Sequence, residues 1–299
     1  LRSRWAEASH LPTFDDHSEL INAGIDASIV CTATSEHRPV VEQLAAAGVN
    51  VLCEKPLATN LEDAYAIVHA CDSAGVLLMT AFPMRFSPPL IEGAAWIDEH
   101  RIGSVLALTG TNNGCIPTDH AAWFADPVAA GGGAVMDHTV HLLDIMRWWL
   151  RSEPVEVFAE TNQSMHPDAA VETGGIITVT FDDGVIATID CSWSRPSGYP
   201  TWGGLDIEAL GTDGVFAVDA FAERLEMWSS GTASWVDWGS DPNLAMIAHF
   251  IGAVRGENAL SVTGLDGLHA TAVALAAYRS AEIGQPVRMD PQTPGSPAR

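Results

Sequence analysis

The chain has 299 residues, 47% hydrophobic and 17% charged, so it can bury a large core and is long enough for two domains of ordinary size. Its 14 basic residues stand against 38 acidic ones, a formal net charge of -24 that repels phosphate backbones and anionic membrane surfaces and argues against nucleic acid as a partner. No apolar run reaches the ~18 residues of a membrane-spanning helix, and five cysteines with no Cys-x-x-Cys pair suggest neither disulfide framework nor zinc cage, which points to a reducing, cytoplasmic setting.

Taken in chain order, residues 27–33 are short, apolar and rich in small and β-branched side chains, as a parallel strand buried on both faces would be. Ser35 starts a helix over about residues 36–47, which ends at Gly48, the place of a C-terminal cap glycine. A second buried strand, residues 49–53, runs into Glu54-Lys55-Pro56. Thr59 and Glu62 have capping-box spacing for a further helix closed by Gly75, and residues 76–81 make a third strand. Such β-α-β-α-β alternation specifies parallel strands joined by right-handed crossovers.

After Phe82 the pattern changes. Residues 105–109, 155–158, 175–180, 185–189, 205–209 and 215–218 are strand-like, with turn signals at Asp183-Gly184, Asp213-Gly214 and residues 229–232. They imply a mainly antiparallel sheet, closed by helices over about residues 244–255 and 265–283, with a frayed tail. The expected fold class is α/β: a parallel-sheet domain over residues 1–83, then an α+β domain with a large, mainly antiparallel open sheet over 84–290, and a flexible tail over 291–299.

Two constellations carry chemistry. Lys55 is the only lysine in the chain, every other fixed cation being arginine. It lies at the C-terminal end of a buried parallel strand, the edge where open α/β sheets place ligands. An ammonium offers a compact charge, three donors and a tunable pKa, where a guanidinium offers a rigid fork. The second is the run from Gly131 to Trp149, in which Asp137, His141 and Asp144 share one helical stripe on an otherwise apolar helix. Buried polar groups need partners or a site. An aspartate holding one imidazole nitrogen and leaving the other for proton transfer is the usual arrangement of an oriented base. Gly131, Gly132 and Gly133 permit close backbone approach beside it. Arg85 lies at the domain junction, where it either contacts substrate hydroxyls or locks the interface. A metal site at Asp137, His138, His141 and Asp144 is disfavoured, because adjacent residues point apart and no His-Glu-x-x-His pattern occurs. His10, His17, His100, His166, His249 and His269 have no convincing companions in the sequence.

These features together resemble the glucose–fructose oxidoreductase/inositol dehydrogenase (Gfo/Idh/MocA) family: residues 27–56, the Gly-Gly-Gly-x-x-x-Asp-x-x-x-His-x-x-Asp run, and the closing Thr263-Gly-Leu-Asp-Gly-Leu segment with residues 276–281. The resemblance implies a Rossmann domain holding NAD or NADP and a second domain whose open sheet shapes a sugar or polyol site and forms a homo-oligomer interface. It implies that Lys55 contacts the reacting hydroxyl and that Asp137 and His141 form the proton-transfer pair; no metal is expected, on the geometry given above. It also implies that Thr32, Ala33, Thr34, His37 and Glu54, with Lys55, lie along the cofactor, that Arg85, Trp123 and Asp144 serve the substrate, and that Lys55-Pro56 is cis. An NAD-dependent glycosidase and a non-catalytic sugar sensor are the rival functions.

The sequence departs from the family pattern at its start: the Gly-x-Gly-x-x-Gly turn and the acidic residue that separates NAD from NADP are absent. By the resemblance, residues 11–14 are what remains of the third Rossmann strand, the first βαβ unit is lacking, and the chain expressed alone is expected to bind NAD(H) weakly or not at all.

Overall fold

The computed structural model describes residues 11–119, 121–201, 203–230, 232–237 and 239–289. Three parallel strands, β1 (Ala27–Val30), β2 (Asn50–Cys53) and β3 (Leu78–Thr80), form one sheet in that spatial order. Val51, Leu52 and Cys53 are wholly buried, as a strand covered on both faces requires. Helix α1 (His17–Asn22) precedes the sheet, α2 (His37–Ala46) links β1 to β2, and α3 (Leu61–Ala74) links β2 to β3. The buried residues of α2 are His37, Val41, Leu44 and Ala45, a single face at helical spacing.

Two expectations are corrected in this part of the chain. Residues 11–14 form no strand; they include Pro12, which has no amide to give a ladder, and Leu11 is 66% exposed. The cap of α3 lies one residue beyond Thr59: the side chain of Asn60 accepts from the amide of Asp63. Asn60 adopts the extended backbone of an N-cap residue, and Asp63, not Glu62, completes the first turn.

The second sheet has seven strands: β4 (Val105–Gly114), β5 (Pro154–Asn162), β6 (Gly174–Phe181), β7 (Ile186–Ser192), β8 (Gly203–Gly211), β9 (Val215–Asp219) and a short β12 (Val287–Arg288). Their order is β12-β5-β6-β7-β4-β8-β9, and every neighbouring pair is antiparallel except β4 with β7. β10 (Arg224–Ser229) and β11 (Thr232–Asp237) form a separate hairpin across the turn expected there. Helix α4 (Pro88–Asp98) leads into the large sheet, α5 (Ala134–Leu150) follows β4, and α6 (Pro242–Val254) and α7 (Gly264–Ile283) come after the hairpin.

The alternation of buried and open residues along β6, β7 and β8 turns one sheet face to the core. Helix α5 covers that face over β4, β6 and β7, and is itself buried along most of its length. Helix α7 packs on β5 and α5 and also on α3 and β3, so it fastens the large sheet to the parallel one. The fastening brings the C-terminal ends of β1 and β2 against the N-terminal turns of α5. Among the described residues no helix is long and apolar enough to cross a membrane.

Candidate active site

A cavity of about 700 Å³ opens where these elements meet, and Lys55, Asp137 and His141 all line it. Lys55 comes from the loop after β2, with the Lys55-Pro56 peptide cis. Its ammonium donates to Asp137 Oδ1 at 2.6 Å and to the Asp137 carbonyl at 3.1 Å. The other carboxylate oxygen of Asp137, Oδ2, accepts from the Trp193 indole at 3.1 Å and lies 3.2 Å from His138 Nε2. His138 is anchored in turn by Nδ1 to the Asn112 carbonyl at 2.7 Å, and Asn112 donates back to the His138 carbonyl.

The imidazole beside Asp137 is therefore that of His138, not of His141 as the helical stripe suggests. Lys55 and Trp193 hold the carboxylate from two sides, and its free edge falls next to the neighbouring residue. His141, one turn further on, packs on the edge of Phe82 with ring centroids 5.9 Å apart. Its Nδ1 is buried without a hydrogen-bond partner.

Charge and burial set the protonation of these groups. Burial alone raises the Asp137 carboxyl, but the charge of Lys55, then that of His138, and their hydrogen bonds outweigh it and hold the group well below the usual carboxylate range. His141 is pushed well below the ordinary histidine range, first by burial and then by the Lys55 charge, with Asp137 opposing. It is thus a neutral imidazole at physiological pH. Glu54, also on the cavity wall, is raised by burial against the opposing charge of Lys55.

Three glycines precede α5 because the chain there is pressed against other segments. Gly131 has φ +81°, and a Cβ on it would touch Thr59 at 2.8 Å; one on Gly132 would collide with the Tyr278 hydroxyl, and one on Gly133 with the Glu172 carbonyl. That closeness caps the helix. The Gly133 and Val135 amides donate to the Glu172 carboxylate at 2.9 to 3.1 Å, while the Gly133 and Met136 amides donate to the Tyr278 hydroxyl at 3.1 Å. Tyr278 donates to Glu172 Oε1 at 2.8 Å, closing the arrangement. Helix amides that have no internal partner are thereby satisfied in the turn that carries Asp137.

Among the other expected residues, Thr32 and Glu54 line the cavity at the ends of β1 and β2, and so does Trp123, stacked on Phe124 at 4.0 Å. Ala33 and Thr34 open the short 3-10 turn after β1, and Thr34 lines a small recess beside Gly132 and Gly133. His37 is buried, its two ring nitrogens 3.2 Å from the Leu57 carbonyl and 3.3 Å from that of Thr32, so it pins the loops after β1 and β2 together. Arg85 and Asp144 do not line the cavity. They form a two-pronged ion pair, 2.7 and 2.8 Å, that also takes in Asp266 at 3.1 Å. His10 lies outside the described residues. Among the described residues no group of three or more metal-ligating side chains gathers.

Asn112, Glu172, Trp193 and Tyr278 are further members of the site that the sequence does not announce. Glu172 and Tyr278 stand 39 and 145 positions from Gly133, and Trp193 stands 56 from Asp137, beyond the reach of any local pattern.

Comparison with known proteins agrees with this arrangement. Residues 2–82 match the oxidoreductase family with NAD-binding Rossmann fold, and residues 92–217 match the GFO/IDH/MocA C-terminal domain. An inositol 2-dehydrogenase of Rhizobium meliloti is 30% identical over 275 residues, covering 86% of this chain and 79% of that protein. A 1,5-anhydro-D-fructose reductase of Ensifer adhaerens is 29% identical over 89% of this chain and 80% of its own. The crystal structure of GenD2 from gentamicin A biosynthesis, in complex with NAD, superposes with a TM-score of 0.88 at 25% identity, covering 96% of this chain and 85% of that one. The chain belongs to the Gfo/Idh/MocA family of oxidoreductases, as a dehydrogenase or reductase acting on CH–OH groups with NAD or NADP as cofactor. The cavity suits that cofactor: it lies at the carboxyl ends of parallel strands, and the buried Nδ1 of His141 beside it lacks a partner.

Proposed function

We propose that this protein interconverts a hydroxyl and a keto group on a sugar, inositol or related polyol, with Lys55, Asp137 and His141 at the reacting centre. The observation that carries this reading is the convergence of an ion-paired ammonium and a neutral imidazole on one cavity at the end of the parallel sheet. When bound, the nicotinamide supplies the hydride acceptor or donor. We assign its binding to Thr32, Ala33, Thr34, Glu54 and Lys55: Thr32, Glu54 and Lys55 line the cavity, Ala33 and Thr34 begin the turn after β1, and His37 fixes these loops.

Two of the three Lys55 protons are engaged by Asp137, one by its side chain and one by its carbonyl. The third is free to hydrogen-bond a substrate oxygen. Asp137 fixes the ammonium in position. His141, neutral and lining the same cavity, holds a lone pair for the proton of the substrate hydroxyl. Trp123 offers an apolar wall to the C–H face of a sugar ring. Exposed Ile176, Ile186 and Leu210 on the open face of the large sheet support assembly of copies of this chain there, and five free cysteines support a reducing cytoplasm.

The test is a panel of inositols, pentoses and hexoses with NAD+ and with NADP+, followed at the absorbance of the reduced nicotinamide. On the best substrate, Lys55→Ala and His141→Ala should each lower kcat by at least ~10²-fold, with cofactor affinity near wild type in His141→Ala and weakened in Lys55→Ala, which also loses a cofactor contact. Near-wild-type turnover in either variant would remove that residue from the reaction.

A further inference from the structure

Beside the reaction cavity lies a second recess of about 420 Å³, and the two share Met84, Phe221 and Asn243 as a common wall. Ser87, Glu223, Ser240 and Asp241 line the recess alone. Among the described residues lining it there is no lysine, arginine or histidine.

Ser87 is the telling residue. It is 1% exposed, and its hydroxyl has no hydrogen-bond partner. A serine in the N-cap position ordinarily accepts from the second or third amide of the helix. Here α4 starts Pro88-Pro89, so the second amide does not exist, and the third, that of Leu90, is bonded to the Ser87 carbonyl at 3.1 Å. A buried hydroxyl without a partner costs stability unless something else meets it.

The remaining lining defines what could meet it. Asp241 uses Oδ1 to cap α6, accepting from Asn243 and Leu244, and Glu223 adds a second carboxylate. An acceptor-rich, cation-free recess repels phosphate and carboxylate groups and favours hydroxyl or ammonium donors. Phe221 gives it an apolar wall of the kind on which the C–H face of a sugar ring packs.

We infer that this recess is a second sugar subsite, taking a neutral or amine-bearing glycosyl ring joined to the ring that reacts next door. The substrate is then a glycoside, and neither a free monosaccharide nor a sugar phosphate. The inference rests on the reading of the adjoining cavity as the reaction site.

Matched probes test it: myo-inositol against its galactoside galactinol, glucose against maltose and cellobiose, and glucose 1-phosphate as the anionic control. Each is assayed for kcat/KM with both cofactors and for ring-resolved contact by saturation-transfer NMR. At least one glycoside should exceed its free ring by ~10-fold or more, the scale of one or two hydrogen bonds, and the phosphate should gain nothing. Ser240→Trp, which fills the recess from an exposed loop, should reduce that advantage to ~2-fold or less while the free ring is turned over as before. Ser87→Ala should show the same split at ~3-fold or more. Glycosides no better than free rings, or variants that slow both alike, would overturn the subsite. Should no probe be oxidised, NMR still separates the two ideas. Contact to the second ring, lost in Ser240→Trp, would keep the subsite and sink the reaction assignment, whereas absence of that contact would sink the subsite.

Discussion

His141 feels Lys55 and Asp137 in opposite senses, the ammonium lowering its pKa and the carboxylate raising it, on top of a lowering by burial. Lys55→Met should therefore move the titration of His141 upward, and Asp137→Asn should move it further down, provided the fold is kept. Histidine-labelled protein observed by NMR reads this, with His141→Gln identifying the resonance; no movement in either variant would show that the three groups are not coupled. The stability sign follows from proton counting. Below the ordinary histidine range the unfolded chain takes up a proton that the native imidazole refuses, so His141 costs stability as pH falls through about 6.5. Asp137, held low, contributes stability above about 3.9 that is lost as pH falls toward its native pKa. Lys55 is legible in the sequence because it is alone of its kind and ends a buried strand. Asp137 and His141 are legible as one stripe. Which imidazole adjoins the carboxylate is not, because Trp193 and Lys55, both distant in the chain, decide where that carboxylate points.

Helix α5 is positioned by its first turn, and that turn is held from outside by Glu172 and Tyr278. Tyr278→Phe leaves the Met136 amide and one contact of Gly133 without the hydroxyl, and removes a donor from Glu172, whose carboxyl burial has already raised. The expected loss is about 1–3 kcal/mol in urea unfolding. Because the displaced turn carries Asp137, kcat should fall more than KM rises, a split that a general loss of folded protein would not give. Equal kcat with lowered stability would confine Tyr278 to a packing role. At this scale the helix stops are readable: Gly48 and Gly75 both adopt left-handed backbone at φ +77° and +68° where the sequence places them. The start of α3 is less so, since Thr59/Glu62 and Asn60/Asp63 have the same spacing and only the folded chain selects the second. Strand alternation reveals most of the large sheet, but its one parallel pair, β4 with β7, arises after α5, β5 and β6 have intervened, and no local periodicity records it.

Across the whole molecule, three separate segments meet in a buried charge network. Arg85 follows β3, Asp144 lies on α5 and Asp266 on α7; Arg147 joins Asp266 at 3.2 Å and Glu153 at 2.5 Å, and His269 stands 3.3 Å from Glu153. From sequence alone Arg85 reads equally as a substrate contact or an interface lock, because nothing local tells which carboxylates will face it. The geometry favours the lock, and stability separates the two. Arg85→Met leaves Asp144, 1% exposed, as a buried carboxylate facing Asp266, a loss of about 3–5 kcal/mol at neutral pH. Asp144 is already raised by burial, with Arg85 opposing, and removing the guanidinium raises it further. Between the unfolded and native pKa values the native carboxyl then holds a proton that the unfolded one has released, so the variant gains stability relative to wild type as pH falls through that window. Urea unfolding at about pH 8 and about pH 5 should accordingly show a large deficit that shrinks at the lower pH, with Asp144→Asn recovering part of it in the Arg85→Met background. A variant as stable as wild type at both values, but with a raised KM for the best polyol, would return Arg85 to the substrate.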